Sequence, residues 1–167
     1  MRSNRLIASL LLLAALASPA AAQEQAHLVV GAGVTGFARH NDRVRETTEF
    51  ASVEYRGTRN LWRGVRPLAG LWVTTHGAAY VHAGLYRDFD LNSRWTATLH
   101  FSGGGFARRD GMDLGDTIEF QSGVDLFYRT HDGWRWGMTL RHISNGGLAD
   151  SNPGTENLGI VLALPLR

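Results

Sequence analysis

A histidine and a serine lie two residues apart near the end of the chain, at His142 and Ser144. If this segment is a β-strand, both side chains point to the same face, close enough for the imidazole to accept the hydroxyl proton. The imidazole in turn needs an acceptor that holds its tautomer. If residues 145–155 form a loop, Glu156 begins the next strand opposite Ser144 and within diagonal reach of the imidazole. The spacing therefore predicts a serine hydrolase triad in which Ser144 is the nucleophile and His142 the base.

The elements that must position these residues are β-strands, because apolar and polar residues alternate with a period of two along most of the chain. Eight strands are predicted, near residues 27–38, 46–57, 62–74, 78–89, 93–105, 116–129, 134–145 and 156–166. Short connections near 57–60, 90–92 and 130–133 alternate with longer ones near 39–45, 105–115 and 145–155, and a short link near 75–77 departs from this pattern. Such alternation is typical of outer-membrane barrels. The sequence therefore predicts an all-β fold, an eight-stranded antiparallel transmembrane β-barrel.

Aromatic residues indicate which face of the strands meets lipid, since alternation alone does not distinguish inside from outside. Five of them fall on the apolar face at the predicted periplasmic ends of the strands: Tyr55, Phe89, Trp95, Tyr128 and Trp134. An aromatic girdle of this kind marks a membrane interface. The apolar face is therefore expected to meet lipid. The polar face is expected to line a narrow lumen in which charged side chains pair, namely Glu54, Arg66, Asp125, Arg129 and Arg141.

The three candidate catalytic residues continue the lipid-facing register of their strands. His142 and Ser144 follow the register of Trp134 to Leu140, and Glu156 that of Leu158 to Leu164. The site is therefore predicted on the outside of the barrel wall, near the outer leaflet, where polar residues are costly and usually functional.

The N-terminus has the pattern of a secretory signal peptide. Arg2 and Arg5 precede an apolar run from Leu6 to Ala17, and small residues extend to Ala22. Because the run is shorter than a spanning helix requires, cleavage after Ala22 is expected, with residues 23–167 forming the barrel domain. Basic and acidic residues are then equal in number, so nucleic-acid binding has no electrostatic support.

Other kinds of chemistry find little support in the composition. The chain has no cysteine, which excludes disulfides and thiol chemistry. Its seven histidines lack metal-ligand spacing, so neither a metal nor another cofactor is expected. The Gly-x-Ser-x-Gly motif of soluble esterases is absent.

The segment from Arg141 to Leu158, RHISNGGLADSNPGTENL, resembles the motif of the lipid A 3-O-deacylase family, known as PagL. The His-x-Ser-Asn segment, the Asn-Pro-Gly turn and a glutamate twelve residues after the serine carry the resemblance. It implies hydrolysis, without a metal, of the 3-hydroxyacyl chain ester-linked at position 3 of lipid A. It also implies that the triad consists of His142, Ser144 and Glu156, and that Asn145, Gly146 and Asn152 are candidate oxyanion donors or supports. Gly146 stands where the family often has alanine.

The same resemblance implies lipid A, or lipopolysaccharide, as the substrate and the bacterial outer membrane as the location, with the active site at the outer leaflet. A homodimer is among the assemblies left open. Three alternatives also remain: a non-enzymatic barrel serving as an adhesin or structural protein, an outer-membrane phospholipase, and a soluble lipid-binding barrel. The non-enzymatic barrel predicts that no phenotype depends on Ser144. The phospholipase predicts turnover that depends on calcium, and the soluble barrel predicts fractionation without membranes.

Overall fold

The computed structural model describes residues 25–37 and 47–166, which form eight antiparallel β-strands closed into a barrel. The strands are β1 (His27–Thr35), β2 (Thr48–Arg56), β3 (Arg66–Thr74), β4 (Ala79–Asp90), β5 (Trp95–Ala107), β6 (Ile118–Arg129), β7 (Arg135–Ser144) and β8 (Thr155–Pro165). Each strand pairs with its neighbours in sequence, and β1 also pairs with β8. The predicted eight-stranded barrel is thus confirmed. The expected signal peptide, residues 1–22, lies outside the described residues.

The two ends of the barrel carry different connections between strands. The end that carries the β3–β4, β5–β6 and β7–β8 connections is called the loop end here, and the opposite end, with the β2–β3, β4–β5 and β6–β7 connections, the turn end. At the turn end, the β2–β3 connection spans residues 57–65 and is longer than the predicted 57–60. It is longer because residues 61–65 fold into a separate tight turn, closed by backbone bonds between Leu61 and Val65 and between Val65 and Trp62.

Alternation with a period of two separates the two faces of every strand. On β7, Met138 is 57% exposed whereas the next residue, Thr139, is 1% exposed. The exposed face of the other strands is likewise apolar, with Val30, Leu71, Leu99 and Leu126 among its side chains. No helix among the described residues is long and apolar enough to cross a membrane.

Aromatic side chains surround the turn end, as predicted. The ring of Tyr128 lies 5.4 Å from that of Trp95 and 5.5 Å from that of Trp136, measured between centroids. Tyr55 and Trp134 are also exposed there. Rings with an apolar body and a polar tip are favoured where hydrocarbon meets water, so this girdle locates one membrane interface.

Charged side chains fill the lumen near its middle and link opposite walls. Arg56 of β2 donates to Glu54 at 2.7 Å and to Asp125 of β6. Arg141 of β7 approaches the same two carboxylates, at 3.6 Å and 3.8 Å. Buried charges of both signs thus compensate one another across the lumen. The predicted pairing is confirmed for Glu54, Asp125 and Arg141, and also for Arg66 with Asp88 and Arg129 with Asp90.

The loop-end half of the lumen contains an apolar cluster among buried polar side chains. A buried cluster contains Phe50, Trp72, Tyr80, Phe106 and Ile143, together with Ala78 and Leu114. Leu114 comes from the β5–β6 loop and is fully buried, so that loop closes the barrel at this end. Closure by a packed side chain keeps the wall beneath the loop rigid.

We expect the folded protein to migrate differently from the boiled protein on a denaturing gel. A barrel whose backbone hydrogen bonds are all made between strands offers detergent no free edge, so it stays folded until it is heated. Comparing unboiled and boiled samples of purified protein measures this directly. Release of the protein from membranes by carbonate or salt alone would contradict a membrane-embedded barrel.

Candidate active site

His142 and Ser144 occupy the last positions of β7 on its outward face. The side chain of His142 is 48% exposed, and Ser144 is partly exposed. Between them Ile143 points inward and is fully buried in the apolar cluster, which sets the direction of its two neighbours. The structure therefore places the predicted nucleophile and base together at the rim of the loop end.

Glu156 pairs directly with His142 across β7 and β8. Its Oε1 lies 3.3 Å from Nδ1 of the imidazole, and both side chains are partly exposed. The predicted register, with Glu156 opposite Ser144, is wrong: Glu156 lies opposite His142, which is two residues earlier on the same face of β7. The last pair before the loop is Ile143 with Thr155, so the unpaired connection begins and ends one residue earlier than predicted. Direct pairing brings the carboxylate closer to the imidazole than the predicted diagonal position would.

Gly154 lies against both the imidazole and the serine. It ends the β7–β8 loop with a φ of +58°, in the left-handed region that favours glycine. A Cβ built there would be 2.9 Å from Cε1 of His142 and 3.3 Å from Cβ of Ser144. Only a residue without a side chain lets the loop pass this close. The Asn-Pro-Gly motif contained the signal for this contact, but its role was not predicted.

Asn145 fixes the end of β7. Its side chain is fully buried, and its Nδ2 donates to the carbonyl groups of Leu114 and Ser151 at 3.3 Å and 2.8 Å. Its Oδ1 accepts from the backbone of Gly147 at 2.9 Å, and its own backbone N donates to Oδ1 of Asn152 at 3.1 Å. All its donors are engaged within the two loops, so Asn145 acts as a support.

Two other groups of the motif loop have free donors. The backbone N–H of Gly146 and the Nδ2 of Asn152 make no hydrogen bond to any other described residue. Gly146 has a φ of +66°, and a Cβ there would lie 3.4 Å from the ring of Phe120. An alanine methyl group would fit that space at ordinary contact distance. Gly146 and Asn152 remain the candidate oxyanion donors.

Strands β6 and β5 bring one hydroxyl and two rings to the same face. Phe120 of β6 pairs with Ser144, and Ser122 pairs with His142. Phe101 of β5 pairs with Ser122. The position of Ser122 beside the imidazole was not predicted, although the period of two in β6 places it on the outward face. No three His, Cys, Asp or Glu side chains in the described part of the chain are grouped so that they could hold a metal ion.

The chain resembles known proteins both in sequence and in fold. The sequence matches the family model of lipid A 3-O-deacylase (PagL) over residues 28–165. No curated protein sequence matches the chain. The crystal structure of the outer membrane enzyme PagL aligns with a TM-score of 0.59 and 18% identity, over 84% of this chain and 99% of that one. A de novo designed transmembrane β-barrel aligns with a TM-score of 0.52 and 11% identity, over 85% of this chain and 98% of that one.

At such identities the two solved structures show a shared barrel fold alone. The family model reaches further, because it extends from β1 to β8 and includes the whole motif loop. It confirms the resemblance drawn from the residues around His142 and Ser144. The chain therefore belongs to the lipid A 3-O-deacylase (PagL) family of outer-membrane β-barrel ester hydrolases.

Proposed function

We propose that this chain hydrolyses the 3-hydroxyacyl ester at position 3 of lipid A with Ser144 as nucleophile, His142 as base and Glu156 as the residue that orients the imidazole. The observation that carries this proposal is the direct pairing of Glu156 with His142, 3.3 Å from Oε1 to Nδ1. With the carboxylate at Nδ1, the neutral ring holds its proton there, and Nε2 is left as the acceptor.

The reaction runs through an acyl-enzyme. Ser144 Oγ attacks the ester carbonyl carbon while its proton passes to Nε2 of His142. The tetrahedral intermediate collapses, and the imidazolium returns that proton to the departing sugar oxygen. Water then attacks the acyl-enzyme, with His142 accepting its proton and passing it to Ser144 Oγ. The products are the free 3-hydroxy fatty acid and lipid A with a free 3-hydroxyl.

The developing oxyanion requires donors aimed at the attacked carbonyl oxygen. The N–H of Gly146 and the amide of Asn152 are free donors in the motif loop, and Asn145 holds this part of the loop in place through its own bonds. We assign Gly146 and Asn152 to the oxyanion hole and Asn145 to its support.

The loop end faces the outer leaflet in this proposal. The triad lies at that end, away from the girdle, and lipid A is a component of the outer leaflet. Residues 1–22 act as a cleaved signal peptide in the same scheme. A homodimer stays a prediction. Family membership leaves the adhesin, phospholipase and soluble-barrel alternatives without support.

Ser144→Ala is expected to abolish release of the 3-linked acyl chain while the barrel still assembles. Loss of one hydroxyl on a partly exposed position changes stability by about 0.5 kcal/mol or less, whereas loss of the nucleophile lowers the rate by about 10³-fold or more. The measurement is the mass of lipid A from cells with equal amounts of variant and wild type in the outer membrane.

Ser93→Ala, in the exposed β4–β5 turn at the opposite end, is the matched control and should behave as wild type. Continued release of the acyl chain by a well-assembled Ser144→Ala protein would exclude the serine mechanism.

Glu156→Gln should retain the fold and lower turnover by about 10² to 10⁴-fold, because a neutral amide orients the imidazole less well and does not stabilise the imidazolium. Kinetics on purified protein in detergent measure this. Glu49→Gln is the control, since Glu49 is an exposed carboxylate at the loop end of β2 that accepts from Thr75 at 3.0 Å. Equal turnover of the two variants would remove Glu156 from the triad.

Gly154→Ala should displace the imidazole, because the new methyl group would lie 2.9 Å from Cε1 of His142. A misplacement of about 1 Å costs on the order of 10²-fold in rate. Gly64→Ala imposes a similar backbone strain, at a φ of +83°, but its nearest neighbour is Arg87 Nε at 3.8 Å. Turnover and heat-modifiability are measured for both. If both variants kept wild-type turnover, the close contact at Gly154 would have no catalytic consequence.

A further inference from the structure

A hydroxyl group that the triad does not use lies beside the imidazole on the outward face. Ser122 of β6 pairs directly with His142 from one side, as Glu156 of β8 does from the other. Ser122 is exposed, and its hydroxyl makes no hydrogen bond to any other residue that the structure describes. This group is therefore free to bind something outside the protein.

Away from His142, the outward side chains around Ser122 are apolar. Phe101 pairs with it from β5, and Phe120 and Val124 lie two residues away along β6. The rings of Phe101 and Phe120 stack with their centroids 6.1 Å apart. A hydroxyl on a lipid-facing surface of this kind gives up hydrogen bonds to water and receives none from the protein. A ligand with its own hydroxyl at this position would replace them.

We propose that Ser122 binds the 3-hydroxyl of the acyl chain that is to be removed, and that it thereby makes the enzyme select 3-hydroxyacyl esters over unsubstituted acyl esters. This inference rests on the proposed function, because it takes the ester carbonyl carbon to lie at Ser144.

The spacing of the two serines fits such a contact. Ser144 pairs with Phe120, so Ser122 is its diagonal neighbour on the adjacent strand. Diagonal neighbours on one face of an antiparallel pair are about 7–8 Å apart. The 3-hydroxyl oxygen is three covalent bonds from the ester carbonyl carbon, and a hydrogen bond between hydroxyls adds about 2.7–2.8 Å. Together these span the gap between the two serine side chains.

The direction of the acyl chain also fits. Ser122 and His142 lie one row further from the loop end than Ser144 and Phe120. A chain attached at Ser144 that runs into the membrane must pass that row. Beyond it, the outward face continues with Val124 and Leu140, which suit the hydrocarbon part of the chain. On β6, Ser122 is the polar side chain between Phe120 and Val124, and it stands where the 3-hydroxyl of the acyl chain arrives.

The test compares two substrates that differ by one oxygen atom. Both are glucosamine 1-phosphate acylated at position 3, one with a 3-hydroxyacyl chain and the other with the same chain lacking the 3-hydroxyl. Purified wild type, Ser122→Ala, Ser122→Thr and Ser93→Ala are assayed in detergent micelles. The quantity measured is the ratio of kcat/KM for the hydroxylated substrate to kcat/KM for the other substrate.

Wild type should prefer the hydroxylated substrate, and Ser122→Ala should lower the ratio by about 3- to 10-fold, as loss of one neutral hydrogen bond predicts. Ser122→Thr keeps the hydroxyl and should retain most of the preference, and Ser93→Ala should retain all of it. An unchanged ratio in Ser122→Ala would overturn the inference. So would an equal loss on both substrates, which would assign Ser122 to positioning of His142.

Ser144→Ala, assayed in parallel, separates this inference from the proposed function. If Ser144→Ala is inactive on both substrates while Ser122→Ala keeps the wild-type ratio, the triad stands and the role of Ser122 is wrong. If Ser144→Ala remains active, both proposals fail, because nothing would then place the ester carbonyl carbon at Ser144.

Discussion

β1 pairs with β8 along nine residues, and this seam closes the sheet so that no strand edge is left to meet lipid. Closure determines much else in the molecule. Every second side chain must point outward into hydrocarbon, and the others must share a lumen of eight strands that is too narrow for a pore. The apolar outer wall, the paired charges inside and the aromatic girdle are all consequences of that one seam.

A polar site on the outside of such a wall needs special support, because the membrane provides no partners for it. The structure supplies support from β8, from the β7–β8 loop and from the lumen. Glu156 approaches the imidazole from β8, and Gly154 lets the loop close against it. Asn145 turns inward directly after Ser144 and ties the β5–β6 and β7–β8 loops to the end of β7. The proposed nucleophile thus stands on a strand end whose next side chain is anchored in the core.

The lumen contributes rigidity by two different means. Near its middle, Arg56 and Arg141 link the carboxylates of opposite walls, so removal of one member would leave an unpaired buried charge. Nearer the loop end, Leu114 of the β5–β6 loop is packed into an apolar cluster that also holds Ile143. Because Ile143 lies between His142 and Ser144 in sequence, packing of the interior sets the direction in which both candidate catalytic side chains point.

The sequence by itself determined the strand number, the two faces and the identity of the candidate triad, since a period of two and a short motif are local properties. It also indicated that Glu54, Asp125 and Arg141 share the lumen. Only the tertiary structure decided the register of Glu156, the approach of Gly154 and the position of Ser122 beside His142. These depend on how many residues the β7–β8 loop uses and on which residues of adjacent strands stand opposite one another. Pairing across strands is a property of the closed sheet, and a shift of one residue there moves every side chain to the other face.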